Sequence, residues 1–331
     1  DTLIMLSATP HDGKARSFAS LMNMLDPTAI ANPDDYGPED IKGLYIRRFK
    51  KDIQNQVESA FKQREIKVAH CEASPDEESA FDFFVDMSFA RLDKQRGAGL
   101  LFKIVLEKAL FSSPAACLET IHNRIRRMES TEDPVYKDDI HLLKSLESEV
   151  KGIPKSSFTK YQKLLWLIQD KKKGMDWKAN NSKDRLVIFT ERIETLHFLE
   201  KSLKEDLKLK DKQVRILHGG MSDIDQQQIV EDFGREQDPV RVLIASDVAS
   251  EGINLHYLSH RMIHFDIPWS LMVFQQRNGR IDRYGQENTP EIFYLVTKSE
   301  NSKIRGDTRI LELLIEKDEQ AVLNIGDPAA F

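Results

Sequence analysis

From residue 185 onward the sequence alternates short apolar runs with amphipathic stretches, and this pattern constrains the fold more than any other feature. The runs are Leu186-Val187-Ile188-Phe189, Val214-Arg215-Ile216-Leu217, Val242-Leu243-Ile244-Ala245, Met262-Ile263-His264-Phe265 and Ile292-Phe293-Tyr294-Leu295-Val296. Most are apolar at successive positions rather than at every second one, so both faces of each strand must be covered. Between them, Leu196, Leu199 and Leu203, and then Ile229, Val230 and Phe233, fall at helical spacing. Strands buried on both sides and separated by helices predict an α/β fold with a parallel sheet and helices on both faces.

Upstream, the reading is coarser. Leu3–Leu6 is expected as a strand ending in Ser7-Ala8-Thr9-Pro10. Phe18, Leu21, Met22 and Leu25 share one helical face, which Asp26-Pro27 terminates. Residues 31–40 read as loop, and Arg47-Arg48-Phe49-Lys50-Lys51 is a basic cluster. From about 76 to 170 the chain is polar-rich and helical, with stripes at Leu118, Ile121, Ile125, Met128 and at Ile140, Leu143, Leu146, Val150. Arg124, Arg126 and Arg127 lie there, either as a clamp on an anionic partner or as a solvated helix face. Lys171 to Ser182 is expected as an exposed connection.

Composition excludes several classes. With 40% apolar and 31% charged residues in 331, the chain is neither disordered nor membrane-like, and no run of about 18 apolar residues could span a bilayer. The first residues lack a basic stretch and a cleavage site, so they are not a signal peptide. They also lack an initiator Met, which suggests a segment of a longer protein. Cys71 and Cys117 are too few for a disulfide framework and are expected to be reduced, buried and intracellular. A net charge of −6 gives no overall attraction to a polyanion, but binding to nucleic acid depends on a local patch.

The residues that carry chemistry cluster late. In Gln275-Gln276-Arg277-Asn278-Gly279-Arg280-Ile281-Asp282-Arg283-Tyr284-Gly285-Gln286, the arginines 280 and 283 are three apart and would share a helical face. Two guanidiniums on one face can grip a single anion, and Gly279 clears the space beside them. A basic helix satisfied by salt bridges is the plainer alternative. Earlier, Ser246-Asp247-Val248-Ala249-Ser250-Glu251-Gly252-Ile253-Asn254-Leu255 follows the Val242–Ala245 strand directly, where small residues let backbone amides approach a phosphate or ribose. Phe265-Asp266-Ile267-Pro268-Trp269-Ser270 is a strand that ends in a sharp turn, with Trp269 either packing that turn or stacking on a base. His256, His260 and His264 are spaced by four, but a loop and a strand separate them, so one helix cannot present all three to a metal.

Taken in order, Ser-Ala-Thr-Pro (7–10), Ile-Phe-Thr-Glu (188–191), Leu-His-Gly-Gly (217–220), the 246–255 loop and the 276–286 run resemble the superfamily-two helicase motifs from the third to the sixth. The basic cluster and the Asp-Ile-Pro-Trp and Gly-Gln signatures resemble the Swi/Snf type, in its prokaryotic RapA-like or phage-defence-helicase-like branch. The resemblance implies a RecA-like fold, with 1–55 as the tail of a first lobe and 56–331 as a second lobe carrying a helical insertion at about 76–170. It implies that Ser7 and Thr9 couple the lobes and that Thr190, His218, Gly219 and Ser246 touch a nucleic-acid backbone. Glu251, Gly252 and Asn254 would sense the nucleotide, Gln276 would face the γ-phosphate, and Arg280 and Arg283 would be arginine fingers.

The implied activity is ATP-driven translocation on nucleic acid, most of all duplex DNA, in the cytoplasm of a prokaryote. ATP and Mg2+ would be held mainly by an upstream RecA-like lobe, because Gly13-Lys14 is followed by Ala15 and fails as a phosphate loop. This chain by itself would then be inactive. A protein partner in a defence or transcription complex is a further implication. The rival readings are a non-catalytic interaction module with a RecA-like shell and an RNA-directed helicase.

Overall fold

The computed structural model describes residues 3–5, 15–37, 39–44, 64–89, 98–131, 134–247, 253–283, 285–304 and 309–316. Its centre is a six-stranded sheet: β1 (Glu65–Glu72), β2 (Leu186–Phe189), β3 (Val214–Leu217), β4 (Val242–Ala245), β5 (Arg261–His264) and β6 (Glu291–Lys298). All pairings are parallel, in the order β1-β6-β5-β2-β4-β3. Every residue of β2 and β4 is buried. Leu186 and Ile188 face one core, and Val187 and Phe189 face the other. The predicted parallel sheet with two covered faces is the fold, and the apolar runs are its inner strands.

One face carries α2 (Pro75–Asp86), α3 (Ala98–Ser112), α4 (Pro114–Glu129), α5 (Lys137–Lys151), α6 (Thr159–Gln169) and α7 (Ile193–Asp206). The other carries α8 (Asp223–Gly234), α9 (Leu271–Asn278) and a last helical stretch over 309–316. The predicted stripes on α4 and α5 are core: Ile121, Ile125 and Met128, and Leu143, Leu146 and Val150, are all buried. The helix α1 (Ala15–Leu25) forms as expected and packs Phe18 and Met22 on Ile30 and Ile41 in a small core of its own. Both cysteines are buried, and loss of water pushes each thiol up to about 12.

Three expectations need correction. Leu3–Met5 form no strand, and Leu3 and Ile4 lie exposed. The connection at 171–182 is not wholly exposed: Met175 and Trp177 are buried, and Trp177 Nε1 donates to the Asp184 carbonyl at 2.7 Å. At Gly174 a Cβ would lie 2.5 Å from the Leu167 carbonyl oxygen, so only glycine fits that close approach. Finally, β1 was not read as a strand. It is one of the two edge strands, only half buried, and a charge pair joins it to its neighbour: Lys67 Nζ lies 2.5 Å from Glu291 Oε1 on β6. The Arg47–Lys51 cluster, Ser7 and Thr9 lie outside the described residues.

The helices between β1 and β2 are built into the sheet. Ser74 and Glu77 form a reciprocal cap on α2, and Glu77, itself buried, accepts the Thr159 hydroxyl at 2.8 Å, tying α2 to the start of α6.

Candidate functional site

In an open parallel sheet the loops at the carboxyl ends of the strands form the ligand crevice where connections diverge. Here β2, β4 and β5 are neighbours, and the chain leaves β2 toward β3 but leaves β4 toward β5. Hydrogen bonds extend the strand ends by one residue: Thr190 N donates to Ala245 O at 3.0 Å, Ser246 N to Leu217 O at 2.9 Å, and Phe265 N to Phe189 O at 2.8 Å. Thr190, Ser246, Asp247 and Asp266 therefore emerge side by side.

Asp266 organises one side of this crevice. Its Oδ2 accepts from Thr190 Oγ1 at 2.6 Å, Ser112 Oγ at 2.8 Å and the Glu191 amide at 2.9 Å. Thr195 Oγ1 sits 2.7 Å from both Ser112 Oγ and Ser113 Oγ. Lys160 Nζ lies 3.8 Å from Asp266 Oδ1 and donates to the Phe111 carbonyl at 2.7 Å. All these side chains are buried, which makes the cluster rigid when satisfied. Glu191 borders it. Burial, then the neighbouring Asp266 charge, raises its carboxyl to about 7.

Arg277 organises the other side. Wholly buried on α9, it donates through Nε to Asp247 Oδ1 and through Nη1 to the Asp266 carbonyl at 2.8 Å, over the Phe189 ring. Beneath it, Asn278 Oδ1 accepts from His264 Nε2 at 3.0 Å and from the Tyr294 hydroxyl at 2.9 Å. Burial and the Arg277 charge hold His264 well below the usual histidine range, so it is neutral.

The motif residues are not placed as the spacing suggested. Helix α9 ends at Asn278, and the chain tightens into turns at Gly279, so Arg280 and Arg283 share no helical face. Arg280 is buried and its Nη1 donates to the Ile253 carbonyl at 3.2 Å, while Arg283 is exposed. The turn is fixed by Gln286, whose Nε2 donates to the carbonyls of His256, Ser259 and Ile281 at 3.1, 2.9 and 3.2 Å, and by Gly285 at φ +87°. Gln276 is half buried beside Arg277, and Asn254 is exposed in the segment that Arg280 anchors. Glu251 and Gly252 lie outside the described residues.

Thr190 is turned inward as well. It is fully buried and its hydroxyl hydrogen goes to Asp266, so it offers no donor to a phosphate. Ser246 is buried as well. After β3, His218 is half buried and caps its own turn by accepting from the Gly220 amide at 3.2 Å, leaving Gly219 exposed. Trp269 is 42% exposed, with Lys108 Nζ from α3 3.9 Å above its ring. Arg124 lies over the Phe102 ring, whereas Arg126 and Arg127 are solvent-facing. Among the described residues no group of three His, Cys, Asp or Glu could hold a metal, and the three spaced histidines do not converge. Sequence reasoning missed Asp266, Asp247 and Arg277 as organising residues. Their signal was a charged residue abutting an apolar strand or buried within a helix, which only pairing makes tolerable.

Residues 159–285 match the model of the helicase conserved C-terminal domain. The matched segment runs from α6 through the Arg280 and Arg283 turn and so contains Thr190, Ser246, Asp247, Asp266 and Arg277, with Ser112 and Tyr294 outside it. A Bacillus subtilis protein named as an uncharacterized ATP-dependent helicase, YqhH, is 26% identical over 95% of this chain and 53% of its own length. The RNA polymerase-associated protein RapA of Photobacterium profundum is 36% identical over 35% of this chain and 11% of its own. The chain thus spans about half the length of the first of these relatives. Among solved structures, the helicase domain of Pyrococcus furiosus Hef aligns over 87% of this chain and 66% of its own, with 14% identity and a TM-score of 0.52. The C-terminal part of the Fun30 ATPase domain aligns over 77% of this chain and 89% of its own, with 17% identity and a TM-score of 0.50. These structural likenesses show the fold, a RecA-like parallel sheet, and the match at 159–285 agrees with the resemblance drawn from the motifs.

Proposed function

We propose that this chain is the second-lobe half of an ATP-driven motor that translocates on nucleic acid, above all on duplex DNA. The observation that carries the reading is the convergence at the carboxyl ends of β2, β4 and β5. There the Thr190 turn, the Ser246-Asp247 segment and Arg277 of α9 are locked into one network through Asp266 and Arg277 itself.

In this reading ATP is the substrate, its phosphates held by an upstream RecA-like lobe. Arg283, exposed, and Arg280, three residues earlier in the non-helical turn and held on the Ile253 carbonyl, reach that lobe and stabilise the charge that develops on the transferred phosphoryl group. Gln276 orients the same end, and Glu251, Gly252 and Asn254 carry the nucleotide state toward the track. The track is held at phosphates, by the exposed Gly219 amide beside His218, while Thr190 and Ser246 shape the surface from beneath. Phosphate contacts carry little sequence information, so specificity should be weak and binding should fall steeply with salt. Mg2+ belongs to the same upstream lobe, and Ser7 and Thr9 couple the two. A place in a transcription or phage-defence complex, and a cytoplasmic location, are the setting the resemblance implies.

The deciding experiment measures ATP turnover by the native protein that contains this chain, with linear duplex DNA, single-stranded DNA, RNA or no nucleic acid. This chain alone serves as the control. Stimulation by duplex DNA, with the isolated chain silent, supports the motor. Stimulation by RNA alone replaces DNA as the track, and no turnover with any nucleic acid favours an interaction module.

A further inference from the structure

We infer that Asp266 is a positioning residue that joins the Thr190 turn to Arg277, and that the helical segment sets it through Ser112. The inference rests on the motor reading and adds a part to it. The side chain and the main chain of one residue serve the two halves of the site. Its Oδ2 takes the Thr190 hydroxyl, the Glu191 amide and the Ser112 hydroxyl, and its carbonyl takes Arg277 Nη1. Arg277 in turn holds Asp247, next to the loop assigned to nucleotide sensing. A displacement of Asp266 must therefore move both the turn that borders the track and the arginine that borders the nucleotide.

Ser112 is the last residue of α3, in the segment outside the helicase resemblance. With Ser113 and Thr195 it forms a hydroxyl cluster under the carboxylate, and Lys160 from α6 balances the charge at 3.8 Å. Ser112 is 3% exposed and Thr190, Thr195 and Ser113 are 0% exposed, so these bonds are shielded from bulk solvent. Three donors on one carboxylate oxygen fix its direction as well as its charge. The helices between β1 and β2 thereby act as a buttress for the site.

The first test needs no activity. Hydrogen exchange of this chain reports the Glu191 amide directly. We expect Asp266→Ala to accelerate exchange at that amide by about tenfold or more and Ser112→Ala by about two- to tenfold, with the β4 amides unchanged. Asp266→Asn keeps an acceptor oxygen without the charge and should stay close to wild type. If Asn behaves like Ala, the residue serves to neutralise Lys160 and the inference fails. If Ser112→Ala leaves exchange unchanged, the buttress fails.

The second test uses the native protein. Ser112→Ala should raise the duplex DNA concentration for half-maximal ATP turnover several-fold, a larger change than any in unstimulated turnover. A proportional loss of stimulated and unstimulated turnover would mark a purely structural role and overturn the inference. Failure of the motor reading looks different: the wild-type protein itself would show no duplex stimulation, whatever the exchange data gave.

Discussion

Arg277 and Asp247 form an ion pair that closes the base of the crevice, the guanidinium wholly buried and the carboxylate 27% exposed. The same guanidinium bonds the Asp266 carbonyl at 2.8 Å, so it links the ends of β4 and β5 from the underside of α9. Removing the guanidinium takes away its bonds to Asp247 and to the Asp266 carbonyl and leaves a space in the packed underside of α9. Arg277→Ala should cost about 3 kcal/mol, the lower part of the usual range because Asp247 is partly open to water. Urea unfolding of this chain checks it, and a loss below about 1 kcal/mol would show that the pair contributes little.

Arg280 and Arg283 should separate in a way their sequence spacing does not suggest. Arg283 is exposed, so Arg283→Ala should change stability by less than about 0.5 kcal/mol. Arg280 is buried on the Ile253 carbonyl, and Arg280→Ala should destabilise by about 1–2 kcal/mol. In the native protein each substitution should lower ATP turnover by roughly 10³ while ATP binding persists. Joint loss of turnover and binding would remove the finger role.

Glu191 makes stability depend on pH in an uncommon direction for a carboxyl. Its folded value of about 7 lies above the ordinary value of 4.5. Between these two the folded state holds a proton that the unfolded state has released. Its contribution is present below pH 4.5 and is lost as pH rises through 7. Allowing for its partial exposure, the loss is roughly 2 kcal/mol. Glu191→Gln should flatten that part of the stability profile and raise stability at pH 8. Chemical denaturation across the window measures both, and parallel profiles would refute the assignment.

The turn after Arg283 depends on two residues with no role in chemistry. Gly285 sits at φ +87°, so Gly285→Ala should cost about 1–2 kcal/mol. Gln286 donates to three buried carbonyls, and Gln286→Ala should cost about 2 kcal/mol. Each should lower the thermal midpoint by several degrees. A variant that melts like wild type would show that the turn is held by its ends alone.

The inner sheet was legible because burial on two faces leaves a local mark: β2 and β4 are apolar at every position. The edge was not. In β1 only Ala69 and Cys71 are buried, and Glu65, Lys67 and Glu72 read as solvent-facing chain until β6 is placed beside them. The site divides similarly. Motif order brought Thr190, Ser246, Arg280 and the α9 run to neighbouring strand ends. It could not tell a residue that faces a ligand from one that supports it. Thr190 turned inward because Asp266, 76 positions later, accepts its hydroxyl, and Arg280 and Arg283 diverged because α9 stops at Gly279. Such partners are set by the folded chain and leave no periodic trace.

The outer strand carries a consequence for how the molecule assembles. Lys67 on β1 meets Glu291 on β6 across 224 positions of sequence. The β2–β5 ladder can close over much shorter loops, so a nascent chain has a sheet core well before its first strand has a neighbour. The last step of refolding should be the docking of β1 onto a finished β6, and under mild denaturant that docking should be the first to reverse.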